Sequence, residues 1–263
     1  MVKTWLIEPE YQAHEVAGVY SSYEVARRLI GERVGFHPLA GCQTAPADVG
    51  GRRFFVKYYQ HRGQWWRALG RSRARREWRN IGYFRSAGVP TTPPVAFGED
   101  RSLSGLFNAG GIIVTEEVRN TSDMHILGEN RPELFADRVW FNRLSGLLAG
   151  HVRDLHQRGF FHNDLNWRNI LVRLEPELEV FIFDCPSGRS WPKLMHGFRS
   201  AKDLAHLDKL GQRYLRRTQR LRFFLDYTGH PRLTENDRKQ IRRILRRVKS
   251  RSNREPRNIY GLS

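Results

Sequence analysis

The residues best suited to chemistry lie in a short polar segment between apolar stretches, residues 160–172. Within this segment Asp164 and Asn169 are five residues apart, on a predicted loop that leads into a strand. A second apolar strand, residues 180–183, is followed directly by Asp184. Carboxylate and amide oxygens are ligands that Mg²⁺ accepts, and a carboxylate also takes a proton from an attacking hydroxyl. If the two strands lie side by side, these three side chains form the set that phosphoryl transfer requires.

The order of these residues gives each one a predicted role. Asp164 would orient the acceptor hydroxyl and accept its proton, whereas Asn169 and Asp184 would hold Mg²⁺ against the phosphates of ATP. The pattern His-x-Asp-Leu-x-x-x-Asn, followed by an apolar strand and Asp, is typical of the catalytic and metal loops of kinases. Taken alone, an Asp or an Asn in a loop more often satisfies turn backbone groups. The complete ordered set favours a catalytic centre.

Two charged residues upstream have the order and spacing that a nucleotide site needs. Lys57 is near the end of a predicted strand, residues 53–59, and Glu77 follows twenty residues later on a predicted helix. We expect the Lys57 ammonium to contact the α- and β-phosphates and Glu77 to pair with it. The alternatives are a solvated edge lysine and a glutamate that pairs with Arg73 along the helix. Glu77 is the only acidic residue between Lys57 and Glu99, so no other carboxylate on this helix is available.

The strand at residues 111–118 lies where a link between two lobes would be. Backbone groups of Glu116 and Val118 are therefore expected to bind the adenine edge, the alternative being an ordinary strand end. No G-x-G-x-x-G motif precedes Lys57, so the loop that would cover the phosphates is not identified. A turn in this region could cover the phosphates, although scattered glycines more often mark an ordinary loop: Gly31, Gly35, Gly41, Gly50 and Gly51.

The sequence predicts helices that would position these residues. Residues 72–87 have apolar side chains at spacings of three and four behind a Ser cap, and Gly88 and Pro90 follow. The longest periodic stretch, residues 134–157, is followed by a glycine stop. Near the end of the chain, Thr234 and Asp237 resemble a capping box at the start of a basic helix.

The element order predicts an α+β protein of two lobes. Residues 1–118 read as a small antiparallel-sheet lobe that binds nucleotide and has one main helix, and residues 119–263 as a larger helical lobe. Residues 1–50 are difficult to assign: residues 16–30 indicate a short helix, and residues 31–51 a glycine-rich turn between strands.

Composition limits the classes of protein that remain. Hydrophobic residues make up 40% of the chain and aromatic residues 12%, which is typical of a globular protein rather than a disordered one. Lys and Arg number 45 against 27 Asp and Glu, and the net charge of +18 favours a polyanionic partner. A basic connector at residues 61–71 and the basic terminal helix concentrate this charge. That helix, with its apolar stripe at residues 241–248, either packs on the helical lobe or lies on an anionic membrane.

The two cysteines, Cys42 and Cys185, form no disulfide framework, and we expect a reducing compartment. The N-terminus shows no secretory signal, and the longest aliphatic run, residues 112–114, is too short to cross a bilayer. The expected location is the cytoplasm or the cytoplasmic face of a membrane. No recognition motif for nucleic acid is present, so we expect no nucleic-acid partner.

These motifs resemble the lipopolysaccharide kinase family, bacterial kinases that phosphorylate inner-core sugars of lipopolysaccharide. The resemblance covers roughly residues 50–215 and rests on residues 55–58, 70–77, 88–91 and 162–171. It implies a protein-kinase-like bilobal fold, ATP as donor, and a Kdo or heptose hydroxyl as acceptor at the cytosolic face of the inner membrane. Lipopolysaccharide core and lipid A would be the anionic partner.

By the same resemblance, Lys57 binds phosphate, Asp164 is the base, and Asn169 and Asp184 bind Mg²⁺. The chain departs from protein kinases in two places. Cys185-Pro186 follows Asp184 in place of Phe-Gly, and Asn166 stands where protein kinases usually carry Lys, which argues against a protein substrate.

Three other functions remain compatible with parts of the sequence. A small-molecule kinase similar to aminoglycoside phosphotransferases leaves the excess of positive charge unexplained. A kinase-like binding module without catalysis usually lacks the base or a metal ligand, and here all three candidate residues are present. A nucleic-acid-binding protein is indicated by charge alone.

Overall fold

The structure is a computed structural model that describes most of the chain. The described residues are 2–34, 41–60, 72–102 and 107–252. The basic connector at residues 61–71 and Gly35 lie outside them.

Contacts divide the chain into two compact units. The first contains Met1–Arg119 together with Phe183–Ser187, and the second contains Asn120–Ile182 together with Gly188–Ser263. The short segment that carries Asp184 belongs to the first unit although it follows a strand of the second. The division into lobes after residue 118 stays a prediction.

An antiparallel sheet organises the first unit. Its strands are β1 (Val2–Ile7), β2 (Cys42–Val49), β3 (Arg52–Gln60), β4 (Pro94–Ser102) and β5 (Phe107–Glu116), in the order β1-β4-β5-β3-β2. Gly50 and Gly51 both have positive φ in the tight turn between β2 and β3, a conformation that glycine adopts without strain. This turn lies at the end of the expected range, residues 31–51; most other described residues of that range belong to α2 or β2.

Among its described residues, this unit contains three α-helices: α1 (Glu15–Val19), α2 (Tyr23–Val34) and α3 (Arg73–Ser86). The helix expected at residues 16–30 is in fact two, because the chain breaks after α1 and restarts where Ser22 Oγ accepts the Val25 N–H at 3.3 Å. The unit thus has α1 and α2 in addition to the one main helix expected.

The alternation of β3 separates two apolar cores. Phe54, Val56 and Tyr58 pack in one cluster with residues of α1 and α2. Tyr59 packs in the other cluster with α3 residues, and Lys57 points to the same face, where it meets Glu77. Because side chains of a strand alternate between faces, one strand both contributes to the α2 core and presents a charge to α3.

The predicted start and end of α3 are confirmed. Ser72 Oγ accepts the Arg75 N–H at 2.8 Å, and Gly88 follows the helix with φ of 71°. This cap satisfies one of the N–H groups that a helix start leaves without an intrahelical partner.

The second unit is mainly helical. Its helices are α4 (Met124–Asn130), α5 (Pro132–Ala136), α6 (Arg138–Gln157), α7 (His196–Tyr214), α8 (Arg217–Thr228) and α9 (Glu235–Ser252). Its short strands are β6 (Thr121–Asp123), β7 (Phe160–Phe161), β8 (Ile170–Arg173), β9 (Glu179–Ile182) and β10 (Arg189–Ser190). β8 pairs antiparallel with both β6 and β9, and β7 pairs with β10.

The single long helix expected at residues 134–157 is interrupted at Asp137. The Asp137 carboxylate accepts the N–H groups of Val139 and Trp140 at 2.7 and 3.1 Å, and so starts a new helix, α6. The expected glycine stop is confirmed, because Gly159 has φ of 76°.

The basic terminal helix, α9, packs on the second unit. Its predicted capping box is present, since Thr234 N–H donates to the Asp237 carboxylate at 2.8 Å and Asp237 N–H donates to Thr234 Oγ1 at 3.2 Å. Ile244 and Val248 are buried, and Gln240 donates to Ser200 on α7. None of the helices in the described ranges combines the length and apolar character needed to cross a membrane.

Candidate active site

The first polar centre joins three predicted site residues within the first unit. The Lys57 ammonium lies 2.9 Å from Glu77 Oε1 and 2.9 Å from Asp184 Oδ1. Glu77 is buried, with a side-chain exposure of 1%, whereas Asp184 is 39% exposed. The lysine thus has two carboxylate partners, one buried and one exposed to solvent.

Electrostatics keep this lysine charged. Burial disfavours the ammonium form, but the neighbouring Glu77 and Asp184 carboxylates outweigh that effect and raise the pKa of Lys57. The second oxygen of Glu77 accepts the phenolic hydrogen of Tyr59. Burial and the same carboxylate raise the pKa of Tyr59, so its hydroxyl remains a donor. Both oxygens of the buried Glu77 carboxylate are therefore hydrogen-bonded.

Helix α3 also fixes the segment that carries Asp184. Asn80, one turn after Glu77, donates its side-chain amide to the Cys185 carbonyl at 2.6 Å. Asp184 itself has φ of 54°, an uncommon conformation for a residue with a side chain and one that Asp tolerates better than most. Phe183 places its ring 5.9 Å from the Lys57 ammonium, a cation–π contact.

The second polar centre is the Asp164 loop between β7 and β8. The Asp164 carboxylate is 60% exposed, whereas the Asp164 carbonyl is held in place. This carbonyl accepts the Asn166 N–H at 3.0 Å and the Asn169 side-chain amide at 2.9 Å. The backbone of the loop is therefore fixed, and the Asp164 carboxylate is presented to solvent.

Asp203 of α7 anchors the start of this loop. It is fully buried, and its carboxylate accepts the N–H groups of His162 and Asn163, each at 2.8 Å. The His156 ring lies 3.3 Å away. Burial would raise the pKa of Asp203, but the hydrogen bond from His156 and the histidines around it outweigh burial and lower the pKa. His206, one turn further along α7, has its Nδ1 3.6 Å from Asp164 Oδ1.

The predicted hinge residues lie at the end of β5. The Glu116 N–H donates to Pro93 at 2.9 Å and the Glu117 N–H donates to Arg53 at 2.8 Å, so both are used within the sheet. The Glu116 carboxylate accepts the Tyr11 hydroxyl at 2.5 Å, and Val118 is buried. Adenine binding by Glu116 and Val118 stays a prediction.

The structure thus brings Lys57, Glu77 and Asp184 together in the first unit, and Asp164 and Asn169 together in the second. A shared cation for Asn169 and Asp184 stays a prediction.

Sequence reasoning missed the residues that position these two centres, namely Tyr59, Asn80 and Asp203. Asp203 did have a signal, because it lies four residues before Leu207 and therefore on the apolar face of α7. Asn80 lies three residues after Glu77, a spacing that puts both side chains on one face of a helix.

The arrangement of strands and helices is that of a protein-kinase-like fold. A solved structure of WaaP in complex with acyl carrier protein is similar over 97% of the present chain and 99% of that chain, with a TM-score of 0.67 and 24% identity. This likeness confirms the expected α+β, protein-kinase-like fold. The chain belongs to the lipopolysaccharide kinase (Kdo/WaaP) family, which its sequence matches over residues 43–244.

Two curated proteins are similar to parts of the chain. A 3-deoxy-D-manno-octulosonic acid kinase from Actinobacillus succinogenes is 29% identical over 143 residues, which cover 51% of this chain and 56% of that protein. A probable bifunctional tRNA threonylcarbamoyladenosine biosynthesis protein from Methanothermobacter thermautotrophicus is 35% identical over 102 residues, 39% of this chain and 15% of that protein. The chain thus spans little more than half of the first relative and a small part of the second.

Proposed function

We propose that this protein is an ATP-dependent kinase that phosphorylates a sugar hydroxyl, on Kdo or heptose, in the lipopolysaccharide inner core. The observation that carries the proposal is the buried ion pair of Lys57 with Glu77, which also holds the exposed Asp184. Family membership and the likeness to an Actinobacillus sugar-acid kinase support the acceptor class.

The first centre is suited to binding the phosphates of ATP. Lys57 is held by Glu77, so its ammonium is positioned before any nucleotide arrives, and preorganised charge is the main catalytic contribution in phosphoryl transfer. The Glu116 N–H is used by Pro93, so the Glu116 carbonyl and the backbone at Val118 are the groups proposed to bind the adenine edge.

The second centre is suited to activating the acceptor. In the proposed reaction, the Asp164 carboxylate accepts a hydrogen bond from the sugar hydroxyl, orients its oxygen, and takes its proton as the new O–P bond forms. The bonds from Asn166 and Asn169 to the Asp164 carbonyl fix the loop, so the carboxylate loses little freedom when the sugar binds.

Two of the predicted site residues have oxygen atoms of the kind that a magnesium ion prefers as ligands. Asp184 offers an exposed carboxylate, and Asn169 donates its amide nitrogen to Asp164, which leaves its amide oxygen to bind a cation. When bound, Mg²⁺ would neutralise the charge of the ATP phosphates.

The proposed substrate explains the excess of positive charge. Lipid A and core sugars carry phosphates and carboxylates, and a chain with a net charge of +18 attracts such polyanions. Because lipopolysaccharide precursors are anchored in a bilayer, we place the protein at the cytosolic face of the inner membrane.

The test compares wild type with Asp164→Asn in an assay of phosphate transfer from ATP to purified inner-core lipopolysaccharide. We expect transfer that depends on Mg²⁺ and a loss of about a thousandfold in the variant, because the general base is removed. Asp154→Asn, which changes an exposed carboxylate of α6, is the matched control and should keep its activity. Equal rates for wild type and Asp164→Asn would reject the proposal.

A further inference from the structure

One surface of the second unit combines exposed apolar side chains with arginines. Leu194, in a 3₁₀ turn just before α7, is 93% exposed, and Phe198 in the first turn of α7 is 50% exposed. Arg243, Arg246 and Arg247 of α9 line the same groove. We call this group of five residues the basic apolar surface.

In the part of the chain that the structure describes, no carboxylate offsets the charge of Arg243 or Arg246. Among the described residues, no Asp or Glu lines the groove, and no carboxylate lies within ion-pair distance of Arg243 or Arg246. Beside it, the ring centre of Trp191 lies 4.1 Å from the Arg189 guanidinium and 3.3 Å from that of Arg199, which also contacts the Phe198 ring. Burial and neighbouring Arg189 lower the pKa of Arg199, as expected where cations are crowded.

The surface is held in place by packing between α7 and α9. Gln240 donates its side-chain amide to the Gly197 carbonyl at 3.2 Å and to Ser200 Oγ at 2.9 Å. The Arg247 guanidinium lies 3.9 Å from the centre of the Phe198 ring. The exposed apolar side chains and the guanidinium groups therefore lie side by side before any partner binds, and binding requires no folding step.

This combination identifies the kind of partner. Leu194 and Phe198 expose apolar side chains in one groove, and arginines beside them match the boundary between lipid headgroups and acyl chains. A nucleic-acid backbone would neutralise the arginines but would leave Leu194 and Phe198 without an apolar environment.

We propose that the basic apolar surface docks on an anionic phospholipid bilayer, with Leu194 and Phe198 inserted at the acyl-chain boundary and the arginines on headgroup phosphates. This proposal rests on the proposed function only where the bilayer is taken to be the inner membrane. Binding is measured without ATP or acceptor, so its failure leaves the kinase assay unaffected, and failure of the kinase assay leaves vesicle binding unaffected.

The experiment measures co-flotation of the full chain with phosphatidylcholine vesicles, with and without added phosphatidylglycerol. Binding should require the anionic lipid. Arg243→Gln combined with Arg246→Gln should weaken it by about 30-fold, because each basic residue near an anionic surface contributes about fivefold. Leu194→Ser should weaken it by about tenfold, through lost insertion of one apolar side chain.

Two matched controls separate this surface from overall charge and overall hydrophobicity. Arg242→Gln combined with Lys249→Gln removes the same charge from another face of α9, and should change binding less than about threefold, because a helix turns by about 100° per residue. Val139→Ser removes an apolar side chain that is 71% exposed on α6, and should have no effect.

Equal effects of the two arginine pairs, or an unchanged affinity for Leu194→Ser, would overturn the proposal. So would a soluble DNA duplex that displaces the protein from vesicles and loses affinity for Arg243→Gln/Arg246→Gln to the same extent, since the surface would then be a general polyanion site. Neutral vesicles that bind as well as anionic ones would also contradict it.

Discussion

The two polar centres are fixed by opposite means. In the first unit the charged side chains fix one another, since Lys57 lies 2.9 Å from both Glu77 and Asp184. In the second unit the key side chain, Asp164, is 60% exposed, and hydrogen bonds to the backbone fix its loop. The start of that loop is held by Asp203, whose carboxylate is fully buried.

The difference matches what each centre is proposed to bind. A cation that binds phosphates must remain charged in a partly buried place, and paired carboxylates achieve this. A base that receives a new substrate at each turnover must keep its carboxylate accessible, so its position has to come from the chain around it. Substitutions in the first centre should therefore alter the charge available to bind phosphates. Substitutions of residues that hold the Asp164 loop should instead alter the conformation of that loop.

The largest effect is expected for Asp203→Asn. The amide keeps one acceptor oxygen but replaces the other with a donor that faces a backbone N–H, either that of His162 or that of Asn163. We expect a loss of about 3 kcal/mol in the free energy of unfolding, measured by urea denaturation, because a buried charged partner is removed. Asp208→Asn changes a carboxylate on the same helix that pairs with the partly exposed Arg220, and should cost less than Asp203→Asn.

The pH dependence sharpens this test. The folded-state pKa of Asp203 is lowered, so its contribution to stability is fully present above the unfolded value of about 3.9 and is lost as the pH falls through the folded value. The difference in unfolding free energy between wild type and Asp203→Asn should therefore be constant near neutral pH and shrink below about pH 4. A difference that grows on acidification would contradict this account.

Next in size is Lys57→Met. Glu77 then lies buried without its ammonium partner, and we expect a loss of about 2–3 kcal/mol in unfolding free energy together with at least a hundredfold loss of phosphate transfer. Combining Lys57→Met with Glu77→Gln should recover part of the stability but none of the activity. If the combined cost equals the sum of the single costs, the ion pair is not the reason for the loss.

A smaller effect is expected for Asn80→Ala. Its amide bond to the Cys185 carbonyl fixes the segment behind Asp184, so its loss should cost about 1–2 kcal/mol of stability and raise the Mg²⁺ concentration needed for half-maximal transfer. Asn130→Ala, at an exposed position of α4, serves as the control and should leave the Mg²⁺ requirement unchanged. An unaltered Mg²⁺ requirement for Asn80→Ala would show that Asp184 is positioned without this bond.

The smallest effect is expected for Ser72→Ala, which removes the cap of α3. Thermal unfolding should show a loss of about 1 kcal/mol, since the Arg75 N–H loses its acceptor. Ser72→Thr retains a hydroxyl and should recover most of the loss. A Ser72→Ala protein as stable as wild type would mean that α3 is fixed by its packing alone.

Local signals were sufficient wherever one residue type decides the structure. The Ser72 cap, the Gly159 stop and the Thr234–Asp237 box were all predicted, because each depends on groups a few residues apart. The break at Asp137 was missed, since the apolar period continues across it and only the carboxylate at that position starts a new helix.

Contacts between residues far apart in the chain could not be predicted from the sequence. Strand β1 pairs with β4 from the far end of the unit, and nothing near residues 2–7 indicates that partner. The roles of Asn80 and Asp203 depend on which backbone groups they meet, 105 and about 40 residues away along the chain. By contrast, Lys57 and Glu77 were paired correctly because strand, helix and charge order all pointed to one contact.

The most direct test of the central claim is the mass of the acceptor itself. Purified inner-core oligosaccharide is incubated with the protein, ATP and Mg²⁺, and then analysed by mass spectrometry with fragmentation. We expect a gain of one phosphate on a Kdo or heptose residue with wild type and no gain with Asp164→Asn. An acceptor of unchanged mass, or the same gain with Asp164→Asn, would contradict it.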